Sequence, residues 1–190
     1  YGTASQDPRF DMTYFAGQPL GPDGNPIVMA DGETLEYHPA AIKLDLSGDT
    51  HEKTAGARMK KYAFDTTAQN DGMKPHNDAV IARYSDVLLM ISEAKVRDGQ
   101  DGTTELNEVR GRVGASTNLP ATLENLYAER MRELAWEGWR RNDMIRFGTF
   151  TDARNDRPQL TGEANGFTEV FCIPQAVLDL NSKLTQNPGY

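Results

Sequence analysis

The sequence contains a single cysteine, Cys172, and no long apolar run, and both absences narrow the classes of protein to which it can belong. One thiol cannot form an intramolecular disulfide or a cluster of several metal-binding thiolates. The longest apolar stretch covers only Val87 to Ile91, whereas a bilayer-spanning helix needs roughly 20 residues. Gly-rich phosphate loops and the Gly-x-Ser-x-Gly motif are also missing, which removes two common sequence signals of catalysis.

Positive charge is scarce as well. The chain has 20 Lys and Arg against 28 Asp and Glu, a net charge of −8 over 190 residues. Because phosphate backbones are bound by basic surfaces, we predict no nucleic-acid partner. A hydrophobic content of 38% with 25% charged residues is typical of a folded globular protein. The chain opens Tyr1-Gly2-Thr3 without a leader, from which we expect a processed or trimmed product.

Glycine and proline divide the chain into three segments. Residues 1–76 hold 8 Gly and 6 Pro, whereas residues 77–148 hold 6 Gly and 1 Pro. Since both residue types interrupt helices, we predict a loop-rich first segment with short strands and a helical-repeat core over 77–148. Residues 149–190 are expected to form a loop, a short strand, and a C-terminal helix and tail that pack on the core.

Apolar spacing predicts four helices in the middle segment. The first covers about 77–98, with Ile81, Tyr84, Leu88 and Ile91 on its apolar face. The others run over about 104–113, from Thr122 onward, and over about 139–147, and the short loops between them favour antiparallel hairpins. Short strands are predicted elsewhere, at Glu33–His38, Gly56–Asp65 and Phe167–Ile173, with Pro174 opening a last helix.

Three glutamates, Glu129, Glu133 and Glu137, recur every four residues and therefore share one helix face. Like charges on one face repel each other unless nearby cations neutralise them, so we interpret the region as an ion-pair network between helices. The alternative, a glycosidase carboxylate pair, needs a general acid with a raised pKa, whereas neighbouring guanidinium groups lower the pKa of a carboxylate. The predicted network comprises Arg83, Arg110, Glu129, Glu133, Glu137, Arg140, Arg141, Asp143 and Arg146.

Metal and cofactor signals are weak, and neither a metal nor a cofactor is predicted. The three histidines lie in the loop-rich segment, outside any Glu-x-x-His frame. The stretch Asp45–Asp49 suggests a calcium loop, but Gly56 stands where an EF-hand needs an acid, so only a nonstandard calcium site stays open. Cys172 lies in a predicted apolar strand, where we expect it to pack as a small hydrophobe.

Four blocks in this sequence, in this order, resemble the C-terminal portion of the SusD/RagB family of outer-membrane proteins. They are Arg83–Ala94, Leu106–Gly114, Glu129–Gly148, and Ile173-Pro174 followed by Leu184–Tyr190. Weaker landmarks are Asp7–Arg9 and Lys60–Tyr62. The resemblance covers 83–190 well and 1–82 loosely.

The resemblance implies a mainly α fold of tetratricopeptide-like antiparallel helical hairpins, with long loops and a few short strands. It also implies a surface-exposed outer-membrane lipoprotein of Bacteroidetes-type bacteria, whose lipid anchor is not present in this chain. Such proteins bind oligosaccharides, polysaccharides or peptides over a SusC-like TonB-dependent transporter, and no catalysis is expected. Family members are considerably longer, so the chain resembles only part of one.

A glycan site needs aromatic rings for sugar faces and polar groups for hydroxyls. Trp136 and Trp139 have the right chemistry, but their apolar neighbours lead us to interpret them as core residues. Loop residues are the better candidates, and those selected are Tyr14, Phe15, Asn25, Tyr37 and His38. Two other functional classes stay open: a helical-repeat module that binds a protein or peptide, and, less favoured, a carboxylate-dependent glycoside hydrolase.

Overall fold

The computed structural model describes residues 7–21, 23–43, 45–62, 65, 67, 75–154 and 158–190. The described residues form six α-helices and one two-stranded antiparallel sheet, so the predicted mainly α class with long loops and few short strands is confirmed. The elements are α1 Arg9–Thr13, β1 Tyr14–Phe15, β2 Arg58–Met59, α2 Tyr84–Arg97, α3 Thr103–Arg112, α4 Leu123–Glu133, α5 Arg140–Arg146 and α6 Gln175–Leu180.

The chain forms two compact units, one ending at Arg140 and the other beginning at Arg141. The division into three segments that the glycine and proline content suggested stays a prediction. None of the described helices has the length and the apolar content that crossing a membrane requires.

Helix α2 is the centre of the first unit and packs against both α3 and α4. The core consists of Leu88 and Leu89 from α2, Leu106 and Val109 from α3, and Leu126 from α4. Three of these leucines are fully buried, and each such side chain contributes about 1.5–3 kcal/mol through its removal from water. This apolar cluster is small, and polar contacts between the helices also hold them together.

The helix ends follow local capping rules more closely than the helix starts do. Gly99 and Gly114 adopt φ values of +74° just beyond α2 and α3, as a C-terminal glycine should. The Thr122 hydroxyl accepts the Asn125 N–H at 3.1 Å and caps α4 as predicted. The predicted start of the first helix at Asn77 is wrong, since α2 begins after Arg83.

The predicted apolar face of the first helix is correct at Leu88, and its other named members are exposed. Ile81 is 84% exposed and Tyr84 68% exposed, while Ser85 and Ser92 are buried beside Leu88. The buried serine hydroxyls explain the difference, because Ser92 donates to the carbonyl of Gly102 at 2.7 Å and thereby joins α2 to the start of α3. A hydrophobicity pattern counts such a residue as surface, although its hydrogen bond allows burial.

The predicted strands form only in part. Within Gly56–Asp65, Arg58 and Met59 form β2, and Ala63 and Phe64 lie outside the described residues. The stretch Glu33–His38 makes isolated bridges instead of a strand.

The segment Phe167–Ile173 starts with a 3-10 turn over Phe167–Glu169 and is not a strand. Cys172 is exposed rather than packed in a sheet. The polar groups of this segment are held by tail side chains, as when the Asn187 amide donates to the Phe171 carbonyl at 2.7 Å, so no partner strand is required.

The carboxylate of Glu129 is fully buried between two guanidinium groups. One oxygen accepts a hydrogen bond from Nη1 of Arg9 at 2.6 Å, and the other accepts one from Nη1 of Arg110, also at 2.6 Å. Arg9 is itself held by Asp7, whose carboxylate accepts both Nε and Nη2. Each buried charge thus has an opposite charge and directed hydrogen bonds, which is the condition for tolerating it away from water.

Glu133, one helical turn further on, accepts hydrogen bonds from three guanidinium groups. Its Oε2 accepts Nη1 of Arg9 at 3.0 Å, and its Oε1 accepts Nη2 of Arg112 at 2.7 Å and Nη1 of Arg83. Burial by itself would raise the pKa of Glu133, but the hydrogen bonds and positive charge of these arginines outweigh it and lower the pKa to about 2.

Glu137 continues the network beyond the end of α4. Its Oε2 accepts Nε of Arg83 at 2.8 Å, and its Oε1 accepts Nζ of Lys61. Lys61 also donates to the carbonyls of Glu133 and Ala135 at 2.7 and 3.2 Å. Burial lowers the pKa of Lys61, while Glu137 acts in the opposite direction. The loop that follows β2 is therefore attached to the turn that follows α4.

The structure brings Arg83, Arg110, Glu129, Glu133 and Glu137 together, as the interpretation of this region required. The sequence analysis missed two cations, Arg9 and Lys61, which lie far from the glutamates along the chain, where helical spacing carries no information. Arg112, on the neighbouring helix α3, also pairs with Glu133.

Two arginines assigned to this network have other partners. Arg140 lies over the Tyr127 ring at 4.2 Å, and Arg141 donates to the carbonyls of Thr168 and Glu169 at 3.0 Å. In the second unit, Arg146 and Asp143 form a local pair at 3.0 Å. A ring contact therefore holds Arg140, backbone carbonyls hold Arg141, and a local pair joins Arg146 to Asp143.

We expect Gly102→Ala to destabilise the first unit. A β-carbon at Gly102 would stand 2.5 Å from the carbonyl oxygen of Ser92, at the junction of α2 and α3. Such overpacking costs on the order of 1–3 kcal/mol, measurable as a lower urea midpoint. Gly111→Ala, at an exposed position of α3, is the matched control. Its β-carbon would lie 3.3 Å from Cγ2 of the exposed Thr117, a contact that a small movement of that side chain relieves, so the midpoint should stay close to that of the wild type. Equal midpoints for the two variants would contradict the tight junction.

We expect Glu133→Gln to lower the free energy of unfolding by about 3–5 kcal/mol at neutral pH, because three guanidinium groups lose their charged partner. The exposed Glu108→Gln is the control and should change it by less than about 0.5 kcal/mol. Urea denaturation of both variants measures the difference.

The same carboxylate predicts an acid-dependent loss of stability. The pKa of Glu133 is about 2 in the folded chain and 4.5 as its ordinary value, so its contribution is complete above pH 4.5 and disappears as pH falls towards 2. That contribution amounts to about 3 kcal/mol. Urea unfolding at steps between pH 6 and 2 should therefore show a steeper decline for the wild type than for Glu133→Gln. Parallel declines would contradict the assignment.

Candidate functional site

The ribbon formed by β1 and β2 decides which of the candidate aromatics can act together. Phe15 pairs with Arg58, and Tyr14 pairs with Met59. Opposite residues of an antiparallel pair share a face, while successive residues point to opposite faces. Phe15 and Arg58 therefore lie on one face of the ribbon, and Tyr14 and Met59 lie on the other.

Two cations accompany two aromatic rings on the Phe15 side. The Arg58 guanidinium lies 4.9 Å from the centre of the Tyr37 ring, and Nζ of Lys60 lies 5.4 Å from the centre of the Phe15 ring. Paired backbone hydrogen bonds between Gly17 and Tyr37, at 2.9 and 2.7 Å, hold Tyr37 beside the ribbon. We call Phe15, Tyr37, Arg58 and Lys60 the aromatic–cation face.

Backbone carbonyls hold Arg58 in position. Its Nη1 donates to Ala55 at 2.7 Å, and its Nη2 donates to Lys53 at 2.8 Å. A guanidinium that is fixed in this way can stack on a ring without losing further side-chain freedom. Phe15 is 38% exposed, so one ring of the face is open to a ligand.

Two of the predicted ligand residues lie outside this face. The Tyr14 ring packs against Phe10 at 5.8 Å between centres. Asn25 is exposed and holds a turn, since its backbone N–H and its side-chain amide donate to Asp23 at 3.1 and 3.0 Å. The five candidate residues thus do not form one constellation.

His38 instead lines a neighbouring hollow. Its ring stacks on that of His51 at 3.9 Å between centres. The hollow has a volume of about 420 Å³, and carboxylate, hydroxyl and imidazole groups line it. We call it the histidine hollow, and its polar lining includes His38, His51, Asp31, Glu36, Glu52 and Thr34. Such groups can accept and donate hydrogen bonds to several hydroxyls of one ligand.

The candidate calcium loop supports the histidine hollow. Asp49 accepts the N–H of His51 at 3.0 Å and forms a pair with Lys43, and the hydrogen bond from Lys43 is the main cause of a lowered Asp49 pKa. Asp45 accepts the N–H of Ser47 at 2.9 Å. In the described part of the chain, no group of three or more His, Cys, Asp or Glu side chains could hold a metal ion.

The core interpretation of Trp136 is wrong in this chain, because its side chain is 71% exposed. Trp136 also adopts a left-handed backbone, with φ of +69°, in the turn after α4. The requirements of that turn, not the apolar neighbours in sequence, decide where the ring lies. Trp139 is partly buried.

Sequence reasoning also missed Arg58, Lys60 and His51. The predicted strand within Gly56–Asp65 could have placed Arg58 and Lys60 on one strand face, since they are two residues apart. It could not place them beside Phe15, because long-range pairing has no local signal.

Comparison with known proteins agrees with the resemblance. A sequence profile of the SusD family matches residues 3–190. Starch-binding protein SusD of Bacteroides thetaiotaomicron is 30% identical over 139 residues, which are 70% of this chain and 25% of that protein.

Solved structures give the same result. Surface glycan-binding protein A from Bacteroides thetaiotaomicron superposes with a TM-score of 0.59 at 27% identity, over 72% of this chain and 31% of that one. Its complex with laminarihexaose gives the same score and identity, over 71% and 31%. Surface glycan-binding protein A from Bacteroides uniformis shares the fold, with a TM-score of 0.64 at 22% identity over 97% and 38%.

The chain therefore spans a quarter to about two fifths of the length of these relatives. The profile match extends over nearly the whole sequence, including the loop-rich part that resembled the family only loosely. This chain belongs to the SusD family.

Proposed function

We propose that this chain is part of a cell-surface protein that binds oligosaccharides or polysaccharides for uptake. The observation that carries the proposal is the 27% identity, over 71% of this chain, to a surface glycan-binding protein solved with laminarihexaose. The starch-binding relative supports the same class of ligand.

The aromatic–cation face suits a sugar better than a hydrophobic ligand. The C–H face of a pyranose stacks on an aromatic ring, and fixed polar groups beside the ring bind its hydroxyls. Phe15 supplies an open ring, Arg58 and Lys60 supply donors, and Tyr37 is held next to them. Rigid positioning through the ribbon and the Gly17–Tyr37 pairing reduces the entropy lost on binding.

The histidine hollow offers a second set of polar groups beside the face. Tyr37 and His38 are adjacent in the chain, and His38 pairs with Ala55 while Arg58 donates to the Ala55 carbonyl. A chain of several sugar units could occupy both features, with its hydroxyls on the carboxylates and imidazoles of the hollow.

Catalysis is not part of the proposal. A glycosidase general acid needs a raised pKa, whereas three arginines lower the pKa of Glu133 to about 2. Glu129 and Glu137 hold cations with both of their oxygens. These carboxylates therefore support the scaffold and are unsuited to proton transfer.

We further propose an outer-membrane, surface-exposed location and a SusC-like TonB-dependent transporter as partner. Membership of the SusD family supports both proposals. Affinity purification of the full-length protein from its native outer membrane tests both proposals. Recovery of a large transporter with it is the supporting result, and recovery of the protein alone contradicts the partnership.

We expect Phe15→Ala combined with Tyr37→Ala to weaken glycan binding about tenfold. The two rings supply stacking energy of about 0.5–1.5 kcal/mol each, and a factor of ten corresponds to 1.4 kcal/mol. Isothermal titration of laminarihexaose and of a starch hexaose against wild type and variant measures the loss.

Tyr84→Ala is the matched control, since it removes an exposed aromatic ring from α2. It should leave the affinity for both hexaoses unchanged. If the double variant binds like the wild type, the aromatic–cation face is not the site. If the wild type binds neither hexaose and instead binds peptides, the glycan proposal itself is overturned.

A further inference from the structure

A second cavity in the first unit lies over the ion-pair network and plays no part in the function proposed above. It has a volume of about 240 Å³ and opens between α1, the loop after β2, and the ends of α2, α3 and α4. Its wall includes the side chains of Met12, Lys61, Tyr62, Arg112, Arg132 and Glu133. We call it the arginine pocket.

The arginine pocket is positively charged although the chain as a whole carries −8. Among the described residues that line it, five are cationic and two are carboxylates. The cations are Arg9, Lys61, Arg83, Arg112 and Arg132, and the carboxylates are Glu133 and Glu137. Outside the pocket wall, Arg9 also pairs with Asp7 and Glu129, and Glu129 pairs with Arg110. With these three residues included, the cations around the pocket still outnumber the carboxylates.

The two carboxylates of the pocket already accept hydrogen bonds from cations, whereas the Arg112 guanidinium uses only part of its donors. Glu133 accepts hydrogen bonds from three arginines, and Lys61 donates hydrogen bonds to Glu137 and to two backbone carbonyls. Arg112 gives Glu133 a single hydrogen bond within the described chain, and its side chain is 59% exposed. A guanidinium carries five N–H donors, so most of those on Arg112 are available to an incoming anion.

Backbone strain concentrates around the same pocket. Among the described residues, Tyr62 and Trp136 are the two non-glycine residues with positive φ, at +68° and +69°. Tyr62 lines the pocket, and Trp136 lies between Ala135 and Glu137, which both bind Lys61. A bulky residue in this conformation is strained, because its β-carbon crowds the following carbonyl oxygen, and such strain recurs at ligand sites.

The two strained residues keep their aromatic rings at the surface. Tyr62 is 40% exposed and Trp136 is 71% exposed, so burial of these rings in the core does not offset the backbone strain. An exposed ring on the wall of a cationic pocket supplies two recognition elements together: a flat surface for a sugar and an electrostatic partner for an acid group.

We propose that the arginine pocket binds an acidic sugar residue, with its carboxylate or sulfate on Arg112 and its ring against Tyr62. The proposal rests on glycan binding and adds a class of ligand, an anionic glycan, at a site separate from the aromatic–cation face. A planar guanidinium binds a carboxylate through two parallel hydrogen bonds, which gives selectivity over a neutral sugar.

The test compares sugars that differ in the acid group. Trigalacturonate, galactotriose and a sulfated galactotriose are titrated against wild type, Arg112→Gln and Tyr62→Ala. We expect the wild type to prefer the acidic trisaccharides to galactotriose, and both variants to lose about tenfold in affinity for them. Preference for trigalacturonate or for the sulfated sugar identifies the acid group, and added salt should weaken binding of both.

Arg97→Gln is the matched control. Arg97 is 42% exposed, pairs with the Glu93 carboxylate and lies on α2, so the variant changes net charge by the same amount as Arg112→Gln. Equal losses in Arg97→Gln and Arg112→Gln would overturn the pocket in favour of a general charge effect. Unchanged affinity in Arg112→Gln and Tyr62→Ala, with wild-type melting temperatures, would also overturn it.

The hexaose titrations separate this inference from the proposed function. If Arg112→Gln keeps its affinity for laminarihexaose or the starch hexaose and loses trigalacturonate, both proposals stand. Neutral hexaose binding without any binding of acidic sugars overturns the arginine pocket alone. Binding of acidic sugars without any neutral hexaose binding overturns the aromatic–cation face and supports the pocket.

Discussion

The carboxylate of Glu133, held by Arg9, Arg83 and Arg112, is the interaction on which the arrangement of the first unit depends. Those three arginines come from α1, from the residue before α2 and from α3, so one side chain of α4 joins four parts of the chain. Among the described residues, the apolar cluster between α2, α3 and α4 comprises five buried side chains, and a cluster of that size leaves helix orientation loosely determined. Directed charge-assisted hydrogen bonds supply the missing geometry.

The same network determines where the loops can present side chains. Arg9 begins α1, which leads directly into β1, and Lys61 follows β2, so both strands of the ribbon are attached to α4 and the turn beyond it, at the end where Tyr14 pairs with Met59. A two-residue strand pair has little stability of its own. With both strands attached, the ribbon can hold Phe15 beside Arg58 and Tyr37. The carboxylates therefore contribute to binding through position, and the lowered pKa of Glu133 is a consequence of that role.

Much of the fold was predictable from the sequence, and the exceptions share a cause. The caps at Gly99, Gly114 and Thr122 depend on neighbours within a few residues, so local rules identify them. The buried face of α2 was misjudged because Ser92 is buried through a hydrogen bond to Gly102, a residue of another element. At the candidate site, residue type identified Phe15 and Tyr37, but Arg58 and His51 came only from pairing between distant segments.

Composition, helical spacing and four short sequence blocks were enough to determine the mainly α class and the SusD family, because these signals are local or are carried by residue identity. Only the tertiary structure decided that Tyr14 and Phe15 face opposite ways and that Trp136 is exposed. It alone showed that Arg9 completes the network of Glu129 and Glu133. Strand pairing, left-handed turns and long-range ion pairs join residues whose separation along the chain leaves no periodic trace. Their partners become known only when the chain is folded.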